Sequence, residues 1–165
     1  MKQQIRIGNG FDIHRFAEGR KLFLGGIEIL HTKGLEGHSD ADVILHAVCD
    51  ALLGALALGD IGKHFPDTDQ RYKDIDSRLL LKHVYELITG KGYELGNLDV
   101  MLLAEKPKIS RHIPAMTSTI ATILESEENQ ISIKATTMEM LGSIGREEGI
   151  AANAVVLLMK RSENA

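Results

Sequence analysis

The chain has 165 residues, 44% apolar and only 4% aromatic with no tryptophan, and its 23 acidic and 19 basic side chains leave a formal charge of −4. That is the length of one domain, residues 1–165, with an aliphatic core. The negative balance, with no basic tract, excludes broad nucleic-acid binding through phosphate neutralisation. No apolar run reaches the roughly eighteen residues of a membrane span. The first residues lead straight into a strand-like pattern, without the apolar segment of a signal peptide. The single Cys49 excludes an internal disulfide and fits a reducing, cytoplasmic setting. Its apolar surroundings read as those of a buried structural thiol.

In chain order, residues 3–13 alternate as a strand that ends in Gly10-Phe11-Asp12-Ile13-His14. Residues 21–30 read as two short strands around Gly25-Gly26, a hairpin signal, and His31 to Gly37 as loop. The spacing predicts a first helix from about Asp40 to Leu58, with Ser39 or Asp40 as N-cap and Gly59 as C-cap. A long polar loop, Asp60 to Asp69, follows; loops of that length in a compact domain are more often functional than idle. A second helix is predicted from Ser77 to Thr89, with Leu79, Leu80, Val84, Leu87 and Ile88 in its apolar stripe and Gly90 as its stop. Then come a strand over 95–104, a third helix from Ser110 to Glu125, a strand from Gln130 to Thr136, a Gly-rich loop from Leu141 to Gly149 and a last strand from Ile150 to Met159, with Lys160–Ala165 expected to fray. The order predicts an α+β fold: an α/β sandwich with a mixed four-stranded sheet, helices on one face and a small hairpin.

Metal-capable side chains cluster at the front of the first helix and the end of the first strand. His38, Asp40, Asp42, His46 and Asp50 fall within thirteen residues, and Asp42, His46 and Asp50 recur every four, on one helix face. Asp12 and His14, two apart on a strand, point to the same side. With His46 they form a two-His, one-Asp set with an open fourth position, the pattern of a working Zn²⁺ site. The bland alternative is a satisfied helix histidine and an Asp12 that caps a turn. Near the other end, Lys134-Ala135-Thr136-Thr137-Met138-Glu139 offers hydroxyls suited to phosphate oxygens and a hard oxygen ligand of the kind Mg²⁺ or Mn²⁺ takes. A strand end with threonines for β-propensity explains the same residues. The Gly142–Gly149 stretch is neither a Walker A loop nor a dinucleotide fingerprint, and no catalytic Ser or Cys signature is present.

Several separated motifs then agree: Gly10-Phe11-Asp12-Ile13-His14, Gly25-Gly26, His38-Ser39-Asp40-Ala41-Asp42, Leu58-Gly59-Asp60-Ile61-Gly62, Phe65-Pro66-Asp67-Thr68-Asp69, Gly92-Tyr93, Lys134-Ala135-Thr136-Thr137 and Gly145-Arg146-Glu147-Glu148-Gly149. In order and over nearly the whole chain, they closely resemble the 2-C-methyl-D-erythritol 2,4-cyclodiphosphate synthase family. The resemblance implies a non-mevalonate isoprenoid enzyme. It would convert 4-diphosphocytidyl-2-C-methyl-D-erythritol 2-phosphate into the cyclic 2,4-diphosphate, releasing CMP. It also implies a homotrimer with active sites between subunits. Asp12, His14 and His46 would hold Zn²⁺, and Glu139 a second ion, Mg²⁺ or Mn²⁺. His38 and Ser39 would steady the 2-phosphate and erythritol end, with Asp67 on the erythritol. Asp60 and Gly62 would hold the ribose, and Ala104, Lys108 and Ile109 would line a cytosine pocket. Thr136 and Thr137 would contact the nucleotide phosphates, with Lys134 and Arg146 adding positive charge. Asp50 or Asp42 is expected to orient His46 from behind. Ser143 departs from an aromatic carried by many relatives beside a central cavity of the trimer, where isoprenoid diphosphates can bind; Phe11, Arg146 and Glu148 are kept. A zinc-dependent phosphoesterase on a nucleotide-linked substrate is the alternative enzyme, and it would give a linear product.

Overall fold

A computed structural model describes residues 4–161. A long strand β1 (Ile5–Ala17) is followed by a hairpin of β2 (Leu22–Leu24) and β3 (Ile27–Ile29), then by a two-residue strand β4 (Gly34–Leu35). Helix α1 (Val43–Ala55), a short helix α2 (Ile61–His64) and helix α3 (Ser77–Gly90) lead to β5 (Tyr93–Leu103). Helix α4 (Ile113–Ile123), β6 (Ile131–Thr136), a helical turn α5 (Gly142–Gly145) and β7 (Gly149–Lys160) complete the chain. The main sheet has the order β4-β1-β7-β5-β6, with β5 and β6 parallel and the other pairs antiparallel. The mixed sheet, the separate hairpin and the α+β class are as the sequence predicts.

The strand count differs: the sheet has five strands. The added strand, β4, lies in the stretch read as loop. Two residues are too few to show alternation, yet Leu35 and Gly34 pair with Phe16 and Ala17. Helix α1 starts at Val43, with Asp42 rather than Ser39 or Asp40 as its N-cap, and it ends at Ala55 before Gly59 is reached. The left-handed turn that ends it falls on Ala57 (φ 55°), whose N–H bonds the Gly54 carbonyl at 3.0 Å. The polar loop holds α2, capped by Asp60, and its last residue, Asp69, caps a single turn over Gln70–Tyr72. The third predicted helix divides into a turn at Ser110–His112 and α4. The Gly-rich loop contains α5. The strand expected from residue 3 begins at Ile5; residue 3 itself and most of the expected C-terminal fray lie outside the described residues.

The core lies between the inner face of the sheet and α1, α3 and α4. Val43, Ile44, Leu45, Val48, Leu52 and Leu53 of α1 are all fully buried, and Leu98, Val100, Leu102, Ile150, Val156 and Leu158 meet the helices from the strands. In β1 the inward positions carry glycine. A Cβ on Gly8 would stand 1.8 Å from the Ala51 carbonyl oxygen, and one on Gly10 would stand 1.9 Å from that of Ala47. The helix backbone therefore rests directly on the strand. The next inward positions along the same strand are Asp12 and His14, and the helix residue beside Ala47 is His46.

The outer face of β1 is open. Ile5, Ile7, Phe11 and Ile13 are 50–66% exposed, and Val155 of β7 adds to the same surface.

A three-ligand cleft at the edge of helix α1

Asp12, His14 and His46 converge. The His14 Nε2 and Asp12 Oδ2 atoms are 2.9 Å apart, His46 Nδ1 and Asp12 Oδ2 are 3.0 Å apart, and the two histidine nitrogens are 3.2 Å apart. Ligands at about 2.0–2.1 Å from a tetrahedral ion are separated by about 3.3 Å. The three atoms therefore need to open by only a few tenths of an ångström to hold such an ion. The donor set, two imidazoles and a carboxylate, suits zinc and other borderline divalent metals.

Each ring is held from behind. The His14 Nδ1–H donates to the Glu36 carbonyl at 2.6 Å, which leaves Nε2 free to face the ligand centre. Glu36 is there because β4 pairs with β1: its own N–H bonds the Arg15 carbonyl at 2.9 Å. The short strand missed in the sequence thus supplies a support for a metal-capable histidine. His46 is held through Nε2, which lies 2.9 Å from Ser77 Oγ and 3.1 Å from Ser39 Oγ. Burial by itself would raise the Asp12 carboxyl, but hydrogen bonds and positive charge from His14 and His46 hold it well below the usual carboxylate range. Burial would lower His14, yet the Asp12 hydrogen bond and charge raise it above its ordinary value.

The expected supports behind His46 are corrected. Asp42 is fully buried and meets His46 only through the helix backbone, its carbonyl accepting from His46 N at 3.0 Å. Its carboxylate accepts from Gly25 N (2.9 Å), Gly26 N (2.7 Å), Ile44 N (3.1 Å) and Leu45 N (3.1 Å). It caps α1 and pins the hairpin turn to the helix start. Asp50 accepts from Ile61 N at 2.7 Å and so fixes the start of α2. The hairpin and α2 contacts were hidden in the sequence because their donors come from segments distant in the chain, whereas the helix cap is local and falls two residues past Asp40.

The triad opens into a cleft of about 440 Å³, also lined by His38, Ser39, Gly62, Phe65, Asp67 and Tyr72. Arg20, which the sequence reading passed over, holds the loop carrying two of these, donating to the Gly37 carbonyl at 3.1 Å and the Ser39 carbonyl at 2.5 Å. Asp60 caps α2 through Lys63 N at 2.9 Å, which shapes the turn that presents Gly62. Phe65 packs edge-on against Tyr72 and His83, with ring centres 5.3 and 5.4 Å away, and stiffens the far wall.

The other expected residues do not line this cleft. Thr136 is the last residue of β6 and Thr137 and Glu139 follow it, while Ala104, Lys108 and Ile109 follow the end of its parallel neighbour β5. Thr137 Oγ1 donates to Glu139 Oε1 at 3.1 Å. Glu139 and Met140 take left-handed φ values of 51° and 64°. The turn is held by Glu105, unnoticed in the sequence, whose Oε1 accepts from Met138 N at 2.8 Å. Lys134 pairs with Asp99, and Arg146 with Glu148 at 2.6 Å. One chain therefore carries two separate sets: a metal-capable cleft, and a hydroxyl and carboxylate turn at the end of the parallel strands.

A sheet backed by helices, with an Asp-His-His set in an open cleft, defines a chain built like a divalent-metal enzyme. The YgbB family model matches residues 5–159, and the chain belongs to that family. A curated relative from Chlorobium phaeobacteroides, 2-C-methyl-D-erythritol 2,4-cyclodiphosphate synthase, is 59% identical over 159 residues, covering 96% of this chain and 100% of the relative. The resemblance drawn from the motifs is thereby confirmed. Among solved structures, the bifunctional IspDF of Campylobacter jejuni aligns with a TM-score of 0.93 at 46% identity, over 96% of this chain and 43% of that longer one. A CDP complex of Plasmodium falciparum IspF aligns with a TM-score of 0.85 at 38% identity, over 98% and 100% of the two chains.

Proposed function

We propose that this chain is a cytoplasmic lyase that converts 4-diphosphocytidyl-2-C-methyl-D-erythritol 2-phosphate into 2-C-methyl-D-erythritol 2,4-cyclodiphosphate and CMP, in non-mevalonate isoprenoid synthesis. The observation that carries the reading is the convergence of Asp12, His14 and His46 within 3.2 Å in a cleft rimmed by His38, Ser39, Gly62 and Asp67. The name shared by the relatives and the CDP held by a solved neighbour support the substrate class. Cys49, buried with no disulfide partner, fits a reducing compartment.

An oxygen of the 2-phosphate forms a bond to the β-phosphorus, and the bond from that phosphorus to the bridging oxygen breaks. CMP leaves with that oxygen and its electron pair. The nucleophile is largely ionised at neutral pH, since a phosphate's second pKa is about 6, so no strong general base is required. The work is alignment and charge neutralisation. Divalent ions, Zn²⁺ at Asp12, His14 and His46 and Mg²⁺ or Mn²⁺ at Glu139, supply positive charge to the phosphates when bound. His38 and Ser39 hold the 2-phosphate end, Asp67 the erythritol, and Asp60 and Gly62 the ribose. Thr136 and Thr137 hold the nucleotide phosphates, and backbone groups around Ala104, Lys108 and Ile109 receive the cytosine. Ala104 and Ile109 are buried, which suits a role through backbone rather than side chain.

In this reading the working unit is a homotrimer, and each cleft is completed by the Thr137–Glu139 turn of the adjacent subunit. Two features support it: the two sets of residues are apart in one chain, and the sheet's outer face is apolar and open. A cavity on the trimer axis, near Phe11, Arg146 and Glu148, would receive an isoprenoid diphosphate. Incubating the chain with the diphosphocytidyl substrate and Mg²⁺, followed by phosphorus NMR, tests the reaction. Cyclic diphosphate and CMP in equal amounts are expected; an open-chain phosphate product, or no turnover, overturns the proposal. His46→Ala should fold, lose its zinc by metal analysis, and lose turnover by on the order of a hundredfold or more.

A further inference from the structure

We propose that Asp40 and Ser77 are positioning residues that set the tautomer of His46, so that Nδ1 and not Nε2 is its ligand atom. The inference rests on the metal reading above. Ser77, the first residue of α3, is fully buried. Its backbone N–H donates to Asp40 Oδ2 at 3.0 Å, and its hydroxyl donates to Asp40 Oδ1 at 2.5 Å. Asp40 is fixed in turn, for its own N–H bonds the Ile75 carbonyl at 3.1 Å and its Oδ1 accepts from Asp42 N at 3.2 Å.

A hydroxyl has one proton, and Ser77 gives its proton to a carboxylate. What it turns to His46 Nε2, 2.9 Å away, is a lone pair. The relay therefore draws the ring hydrogen to Nε2, where two lone pairs would otherwise face each other in a buried site, against the Asp12 carboxylate, which lies 3.0 Å from Nδ1 and draws it the other way. In the neutral ring the other nitrogen, Nδ1, is left as the acceptor. Nδ1 is the atom 3.0 Å from Asp12 and 3.2 Å from His14. Ser39 Oγ is compatible with this, since it accepts from Ala41 N at 3.1 Å and can also accept from Nε2–H. The relay runs from the substrate loop through the first turn of α3 to a ligand on α1.

The test uses the full chain stripped of metal by a chelator, at a pH where the imidazoles are neutral. Long-range proton–nitrogen NMR correlations should show His46 protonated at Nε2 and bare at Nδ1. Ser77→Ala should let the opposite tautomer appear on His46, leave His14 unchanged, and weaken zinc binding about 10–100-fold in competition with a fluorescent chelator. Asp40→Asn, which can turn the Ser77 hydroxyl toward Nε2, should shift His46 the same way. A wild-type His46 protonated at Nδ1 overturns the relay, as does a Ser77→Ala chain that binds zinc within twofold of wild type. If the wild-type chain fails to take up one zinc, the metal reading falls, and the tautomer measurement, which needs no metal, still decides the relay.

Discussion

Asp42 shows how much one side chain can hold together. It looks like a metal ligand in the sequence, yet it accepts four backbone N–H groups from two segments. Removing it would leave buried donors unpaired at a helix start and at a hairpin turn, where both glycines take left-handed φ values of 61° and 81°. Asp42→Ala is expected to cost about 3 kcal/mol, lowering Tm by roughly 6–12 °C in calorimetry. A residue whose only role was to tune His46 would change zinc affinity and leave Tm in place. Asp12 and His14 were legible because ligands two apart on a strand must share a face. Asp40 and Ser77 were not, because their pairing spans thirty-seven residues and a serine after a capping aspartate is what any helix start looks like.

At the scale of elements, the decisive contact is α1 on β1. Gly10→Ala would drive a methyl group into the Ala47 carbonyl and to 2.7 Å from Ala51 N. These are backbone atoms that cannot swing aside, so a loss of about 3 kcal/mol is expected. Zinc uptake should fall with it, since lifting the helix carries His46 away from Asp12. Normal metal content in a folded Gly10→Ala chain would show that the helix seat does not set the site. Helix α3 has an electrostatic start. The guanidinium of Arg78, hydrogen-bonded to Asp76, holds that capping carboxyl below its ordinary value. A depressed carboxyl stabilises the fold above its unfolded pKa of about 4 and loses that contribution as pH falls through the lower folded value. Asp76→Ala should therefore cost about 1 kcal/mol at pH 7, and the gap to wild type in urea melts should close in acid. The helices and long strands were readable from their periodicity. β4 was not, because it exists only through its partner strand, and the helical turns at Ile61–His64 and Gln70–Tyr72 depend on the aspartate caps Asp60 and Asp69, which read equally well as ordinary polar loop.

For the molecule as a whole, the outer face of β1 is the unbalanced feature. Four large apolar side chains at half exposure or more, along one strand, are more than a solitary domain usually leaves open. Ile7→Asp removes an apolar group that is 66% exposed and should leave the single chain folded. If the face is the proposed contact between subunits, light scattering will give the trimer mass for the wild-type chain and a lower mass for the variant. Equal masses would move the contact elsewhere. The family and the Asp12, His14 and His46 set could be read from motifs because each motif is local. The proposed meeting of that cleft with the Thr137–Glu139 turn of another copy came only from the family resemblance, since the turn does not line the cleft of its own chain and no spacing along the sequence encodes a neighbour.

The glycines of β1 carry one more consequence. They have no side chain to offer an ion, yet they set how far His46 stands from Asp12 and His14. On the zinc reading, the choice among ions is then made partly by packing. A gap built for three donors at about 2.0–2.1 Å is poor for calcium, which wants six to eight oxygens at about 2.3–2.6 Å. Discrimination between metals would thus be inherited from two positions that bind nothing.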